Sequence, residues 1–178
     1  VGFGGMINET IDRIMLLKLY PGTTEEAFSQ SGIYSANYKL AVVIVLFIQA
    51  FRMGAEPFFF KQSTSENAPR TYARVMKFFV IACCFCFLGV TLFLDIWKYF
   101  MGTRYPEYYT GLKIVPLLML AKIFLGIYYN LSIWYKIKEK TLTGAWITLG
   151  GAAITIAFNW IFIPILGYMA CAIATVLC

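Results

Sequence analysis

Phe78-Phe79-Val80-Ile81-Ala82-Cys83-Cys84-Phe85-Cys86-Phe87-Leu88-Gly89-Val90-Thr91-Leu92-Phe93-Leu94 contains no charge, and it is bounded by Lys77 and Asp95. A helix needs about 20 mostly apolar residues to cross a bilayer. A strand of a membrane barrel would instead alternate over about ten residues. This run does not alternate, and neither does Ala41 to Ile48, so the expected elements are membrane helices rather than barrel strands. Composition agrees. Of 178 residues, 60% are hydrophobic and only 13% charged, against about 25% charged in an ordinary soluble domain. The excess apolar surface must face lipid.

Working outward from that run, six spans can be drawn, at about 4–20, 33–60, 72–100, 112–133, 142–163 and 168–178. The second and third are longer than a bilayer requires, so tilt or projection into water is expected. Between them lie turn and loop chemistries: Pro21-Gly22-Thr23-Thr24, the polar stretch Lys61 to Arg70, Gly102 to Pro106, and Pro164 to Gly167. The chain begins with Val1 and its sixth span stops short, and both read as the ends of a piece of a larger protein. Val1 to Tyr20 holds Glu9, Asp12 and Arg13 in its middle, unlike a secretory signal.

Charge gives an orientation. Lys61, Arg70, Arg74, Lys77, Lys136, Lys138 and Lys140 fall on one side, whereas Lys98 and Arg104 fall on the other with Glu25 and Glu26. The positive-inside rule then makes the lysine-rich side cytoplasmic and sends the first span outward. The formal net charge of +6 is expected to serve an anionic membrane surface, and nucleic acid is not an expected partner.

Enzyme chemistry is disfavoured, because the chain has no His and only 9 Asp and Glu. No Ser-His-Asp, Cys-His or metal-spaced carboxylate pattern occurs, and no metal is expected. The Cys83-Cys84-x-Cys86 cluster reads as small hydrophobes. Gly2-x-Gly4-Gly5 lacks the Lys-Ser/Thr of a phosphate loop and reads as helix packing or a bend. In the fifth span Gly144, Thr148 and Ala152 form one small-residue stripe and Gly151, Thr155 and Asn159 another, which places that helix inside a bundle. Trp97, Tyr99, Tyr105, Tyr108 and Tyr109 suit an interfacial aromatic belt.

The informative residues are the charges within spans. Burying one at bilayer depth costs at least ~2.5–3.5 kcal/mol on insertion scales, so such residues face a bundle interior or a hydrated path. The first span carries Asn8, Glu9, Asp12 and Arg13, with Asn8 to Asp12 and Glu9 to Arg13 at helical spacing. The second carries Gln49, Arg52 and Glu56 on one face. The fourth carries Lys122, followed on its face by Gly126, Tyr129 or Asn130. These stripes are expected to meet around one polar cavity. Arg13, Arg52, Lys122 and Asn130 are the candidate contacts to an anionic substrate, Arg offering a planar fork to phosphate. Glu9, Asp12 and Glu56 are the candidate charge partners or ion-coupling groups. Pro57, directly after Glu56, is expected to interrupt or end its helix. The simpler alternative is mutual neutralisation, Glu9 with Arg13 and Arg52 with Glu56, with Lys122 snorkelling to the interface.

Two stretches resemble a known family. Gly32-Ile33-Tyr34-Ser35-Ala36-Asn37-Tyr38-Lys39-Leu40-Ala41 with Phe51-Arg52-Met53-Gly54-Ala55-Glu56-Pro57-Phe58-Phe59, and Asn159-Trp160-Ile161-Phe162-Ile163-Pro164-Ile165-Leu166-Gly167 with Ala172 and Ala174-Thr175, are similar to the C-terminal lobe of Wzx-like polysaccharide-transport flippases. These belong to the multidrug/oligosaccharidyl-lipid/polysaccharide exporter superfamily. Asn8-Glu9 and Asp12-Arg13 fit the span that opens that lobe, and Ala170-Cys171 stands where the pattern usually has Gly-Ala. The resemblance implies an all-α polytopic bundle of about six helices, one lobe of a two-lobe transporter. It implies translocation of undecaprenyl-pyrophosphate-linked oligosaccharide across the bacterial inner membrane, for O-antigen or other surface polysaccharide. The implied partners are that lipid-linked substrate, membrane lipids and an N-terminal lobe. No cofactor is expected beyond a coupling proton or Na+. A multidrug cation antiporter of the same superfamily and a non-transporting membrane scaffold stand as alternatives.

Overall fold

A computed structural model of the chain describes the backbone of residues 2–101, 106–138 and 140–178, and the side chains of residues 10–99, 106–138, 140 and 142–178. Among these the architecture is helical, with no strand: α1 Gly2–Leu19, α2 Thr24–Gln62, α3 Ala68–Leu92, α4 Leu94–Trp97, 3-10 segments Lys98–Met101 and Pro106–Ile114, then α5 Val115–Ile137, α6 Thr141–Leu166 and α7 Tyr168–Leu177. The chain is an all-α helical bundle and a membrane protein. Among the described residues, four helical stretches are long and apolar enough to cross a bilayer: Thr24–Gln62, Ala68–Leu92, Pro106–Ile137 and Leu142–Leu166. The first and last expected segments differ from these, since α1 has 18 residues interrupted by charge and α7 has 10.

Local chemistry explains the boundaries. α2 starts at Thr24, well before the expected Ile33, because Thr23 and Glu26 close a capping box: Glu26 N donates to Thr23 Oγ1 at 3.3 Å and Thr23 N to Glu26 Oε2 at 2.8 Å. At about 1.5 Å per residue, its 39 residues span roughly 58 Å, so part of it lies outside a core about 30 Å thick. Pro69 and Pro116 sit in the first turns of α3 and α5, where a missing N–H is harmless. α6 ends at Gly167, whose φ of 56° suits a residue without Cβ.

Pro57 does not stop its helix, contrary to expectation, whereas the expected turn at Pro164 to Gly167 is found, with the break at Gly167. α2 runs through Pro57 to Gln62, and α6 through Pro164 to Leu166. In both, the proline and the residue four before it are exposed, Met53 at 78% and Trp160 at 66%, so the carbonyl deprived of its donor faces away from the bundle. Beyond Pro57, α2 is held by Phe59, which is buried against Tyr72 at 4.9 Å in an edge contact and whose carbonyl accepts from Tyr72 OH at 2.8 Å.

α2 and α5 run parallel, as the pairs Tyr38 with Lys122, Arg52 with Tyr129 and Glu56 with Lys136 establish. α3 lies antiparallel against both. Phe79 meets Phe51 at 4.6 Å and Phe47 at 6.2 Å, and it crosses α5 at Gly126, where a Cβ would stand 2.9 Å from the Phe79 ring and 3.1 Å from Ile48. α6 is antiparallel to α5, with Tyr128 OH 3.2 Å from both Gly144 O and Thr148 Oγ1. α7 is inserted among the others, its Ala170, Cys171, Ala172 and Ala174 all fully buried. The 3-10 segment Pro106–Ile114 closes one end: Asn37 Nδ2 donates to Tyr108 O at 2.8 Å, and a Cβ on Gly111 would lie 2.2 Å from that nitrogen.

Candidate functional site

The intramembrane charges form two clusters rather than one. The first centres on Asp12. Asp12 of α1 is buried at 2% exposure while its neighbour Arg13 is exposed, because consecutive residues of a helix point about 100° apart. Asp12 receives hydrogen bonds from three other helices. Asn159 Nδ2 of α6 donates to Oδ1 at 2.7 Å, Tyr34 OH of α2 to Oδ2 at 3.3 Å, and Thr175 Oγ1 of α7 lies 3.1 Å from Oδ2. That hydroxyl is also 2.7 Å from Cys171 O, so its single proton is shared between two acceptors. Asn159 is fully buried, and its own Oδ1 has no hydrogen-bond partner.

Lys122 of α5 joins this group. It is 2% exposed, so it does not snorkel. Its Nζ lies 4.8 Å from the centroid of the Tyr38 ring, and the Arg13 guanidinium carbon lies 5.5 Å from the same centroid. One tyrosine of α2 thus holds a cation from α1 and a cation from α5, an arrangement worth roughly 0.5–2 kcal/mol per contact depending on desolvation.

The second cluster lies toward the C-terminal ends of α2 and α5. Arg52 Nε is 3.5 Å from Glu56 Oε2, and Glu56 Oε1 pairs with Lys136 Nζ. The Arg52 guanidinium carbon stands 4.7 Å from the Tyr129 centroid. All three charged side chains are about one third exposed.

The structure therefore brings together Arg13, Asp12 and Lys122, and separately Arg52 and Glu56. Tyr38 and Arg52 are fourteen residues apart on α2, or about 21 Å along the axis, which replaces the expected single meeting point of three cations. Asn130 joins neither: its Nδ2 donates to Gly126 O of its own helix at 3.2 Å. The side chains of Asn8 and Glu9, and with them the pairings to Asp12 and Arg13, lie outside the described residues, as do Arg104, Tyr105 and the surroundings of Gly2, Gly4 and Gly5. Of the small-residue stripe, Thr155 and Asn159 are fully buried, and a Cβ on Gly151 would lie 2.9 Å from Cys178 Sγ.

Sequence reasoning had not assigned functional roles to Tyr34, Tyr38, Asn159, Thr175 and Lys136. The four-residue spacing of Tyr34 and Tyr38 was a usable signal, since it puts both on one face. Lys136 counted as a loop cation, although α5 continues through it. Comparison with family models, with curated proteins and with solved structures returned no match.

Proposed function

We propose that this chain is one lobe of a membrane transporter that carries an anionic, lipid-linked oligosaccharide across the bacterial inner membrane for surface polysaccharide synthesis. The observation carrying this reading is the pairing of Arg13 and Lys122 over Tyr38, at 5.5 and 4.8 Å from its ring, beside the buried Asp12. Holding a lysine inside an apolar bundle is expensive, and a site that must accept phosphate supplies a reason to retain it. The exposed guanidinium of Arg13 offers the fork, and Lys122 a point charge behind it. In this reading the lysine-rich ends of α2 and α5 face the cytoplasm, a second lobe completes the cavity, and rocking of the two lobes alternates access. Asp12 Oδ1 and Oδ2, the Asn159 amide oxygen and the Thr175 hydroxyl are the oxygen donors a coupling proton or Na+ would use.

The test is complementation. Lys122→Met in the full-length protein, in a strain lacking the native gene, should reduce surface polysaccharide about tenfold or more, the order expected for loss of a charge-assisted contact. Unchanged polysaccharide at equal membrane abundance would refute the proposal. The multidrug antiporter reading has one observation in its favour, that the most fully hydrogen-bonded charge is the carboxylate of Asp12. Efflux of a cationic dye that depends on Asp12, with normal polysaccharide, would establish that reading instead.

A further inference from the structure

α3 presents two faces of different chemistry. On the inward face Phe79 and Cys83 are buried, and Tyr72 and Val75 pack on the cluster formed by Ala55, Phe59 and Ile133. The opposite face opens with three cations, Arg70, Arg74 and Lys77, all exposed. It continues through Ile81, Phe85, Leu88 and Leu92, which are exposed as well. Steps of three or four residues keep all seven positions within an arc of roughly 80°. One surface therefore changes from basic to oily along its length, and the sequence places no acidic residue between Asn67 and Leu94.

The lengths match one half of a bilayer. Lys77 and Leu88 are eleven residues apart, about 16 Å of helix, against about 15 Å for half of a hydrocarbon core roughly 30 Å thick. Arg74 and Arg70 follow about 4 and 10 Å further out, on the headgroup side.

Helix stability does not account for these cations. Arg70 stands in the first turn of α3, where the helix dipole opposes positive charge, with no acidic residue in that turn and no side-chain cap from Asn67. Among the described residues, none of the three joins an ion pair. Their backbone is nevertheless held in place: Tyr72 OH donates to Phe59 O at 2.8 Å, and its ring meets Phe59 edge-on at 4.9 Å.

We propose that this face is a docking site for an anionic phospholipid, its phosphate seated among Arg70, Arg74 and Lys77 and an acyl chain laid along Ile81, Phe85 and Leu88. The planar guanidinium forks suit phosphate oxygens. An acidic protein segment would satisfy the three cations alone and leave the adjoining apolar wall uncovered. A zwitterionic lipid would cover the wall but bring a cation of its own toward the arginines, whereas a net negative headgroup is attracted by each of them. Lys138 and Lys140 are exposed at the same end of the bundle, but they follow Ile137, which packs on the inward side of α3 with Tyr72. They contribute to the general field and not to this face, which makes them the control.

The test exchanges the full-length protein in detergent with equal amounts of phosphatidylglycerol and phosphatidylcholine and counts the retained lipids by mass spectrometry. Wild type is expected to favour phosphatidylglycerol by about tenfold or more. Arg70→Gln with Arg74→Gln and Lys77→Gln should erase that preference, and Arg74→Gln alone should lower it about threefold. All three side chains are exposed, so the triple variant should unfold at close to the wild-type temperature; should it fail to fold, the single variants at Arg74 and Lys77 carry the test. Lys138→Gln with Lys140→Gln should leave the preference within about twofold. Dihexanoyl phosphatidylglycerol, with the same headgroup on short chains, should compete about tenfold more weakly than the dioleoyl lipid. Equal retention of both lipids by wild type, a preference that survives the triple variant, an equal loss in the Lys138 and Lys140 variant, or short-chain lipid competing as well as long-chain lipid would each overturn the proposal. Displacement of the bound lipid by polyglutamate would overturn it too, by making the face a dock for an acidic protein.

Discussion

Asp12 and Lys122 are each 2% exposed, and the Asp12 carboxylate is held by Asn159, Tyr34 and Thr175. Removing that carboxylate leaves the buried Asn159 amide without its acceptor, at about 1–3 kcal/mol. Asp12→Ala is therefore expected to lower stability by that order, read as a large drop in the thermal unfolding temperature in detergent. Asp12→Asn keeps oxygen and nitrogen within reach of Asn159 and Thr175 and should fall between Asp12→Ala and wild type. Much of this residue-scale picture was legible beforehand. Asp12, Arg13, Arg52, Glu56 and Lys122 stand out as charges among apolar neighbours, and Arg52 to Glu56 was visible as an i,i+4 pair. The partners of Asp12 were not, because Asn159 and Thr175 lie far away in sequence and only the packing of α6 and α7 brings them to α1.

At the scale of elements, stops and starts follow from single residues. Gly167 takes φ 56°, ψ −135°, a conformation that disfavours any side chain, so Gly167→Ala should destabilise by about 1–3 kcal/mol. Unfolding of that variant followed by the burial of a probe on α7 should show the loss. Thr23→Ala removes the acceptor for Glu26 N and should cost about 1 kcal/mol, seen as increased amide exchange confined to the first turn of α2. Helix identity was readable from Phe78 to Leu94 onward because an unbroken apolar run admits few alternatives. Helix ends were less so. Pro21 to Glu26 reads as loop until the reciprocal Thr23 and Glu26 bonds are considered, and Pro57 reads as a break until the exposure of Met53 is known. Whether a proline stops a helix depends on where the freed carbonyl points, which a linear pattern does not contain.

At the scale of the molecule, the apolar exterior is concentrated on α3 and α6. Phe78, Phe85 and Leu92 are 64–72% exposed on the first, and Trp146, Leu149 and Trp160 are 61–72% exposed on the second. The apolar stretches of these faces, from Phe78 onward on α3 and from Trp146 onward on α6, are suited to meeting lipid. Brominated phospholipids should therefore quench the fluorescence of Trp146 and Trp160 strongly, while Trp146→Phe with Trp160→Phe should remove most of that quenching; a bundle whose α6 was covered by protein would resist it. The exposed face of α2 differs, since Lys39 and Gln49 share it with Val43, Leu46 and Met53. The overall helical class was evident from composition, whereas the division of charge into two levels depends on α2 and α5 running side by side in the same direction.

The reach of Asp12 across the chain bears on how the protein is made. Its hydrogen-bonding groups on α6 and α7 emerge from the ribosome long after α1 has left it. Until then only Tyr34 of α2 can donate to that carboxylate, so α1 is expected to wait beside the insertion machinery or at the membrane surface. Final seating of α1 is thereby tied to the synthesis of α6 and α7, and a nascent chain halted before α6 would be marked for disposal by the charge it has failed to hide.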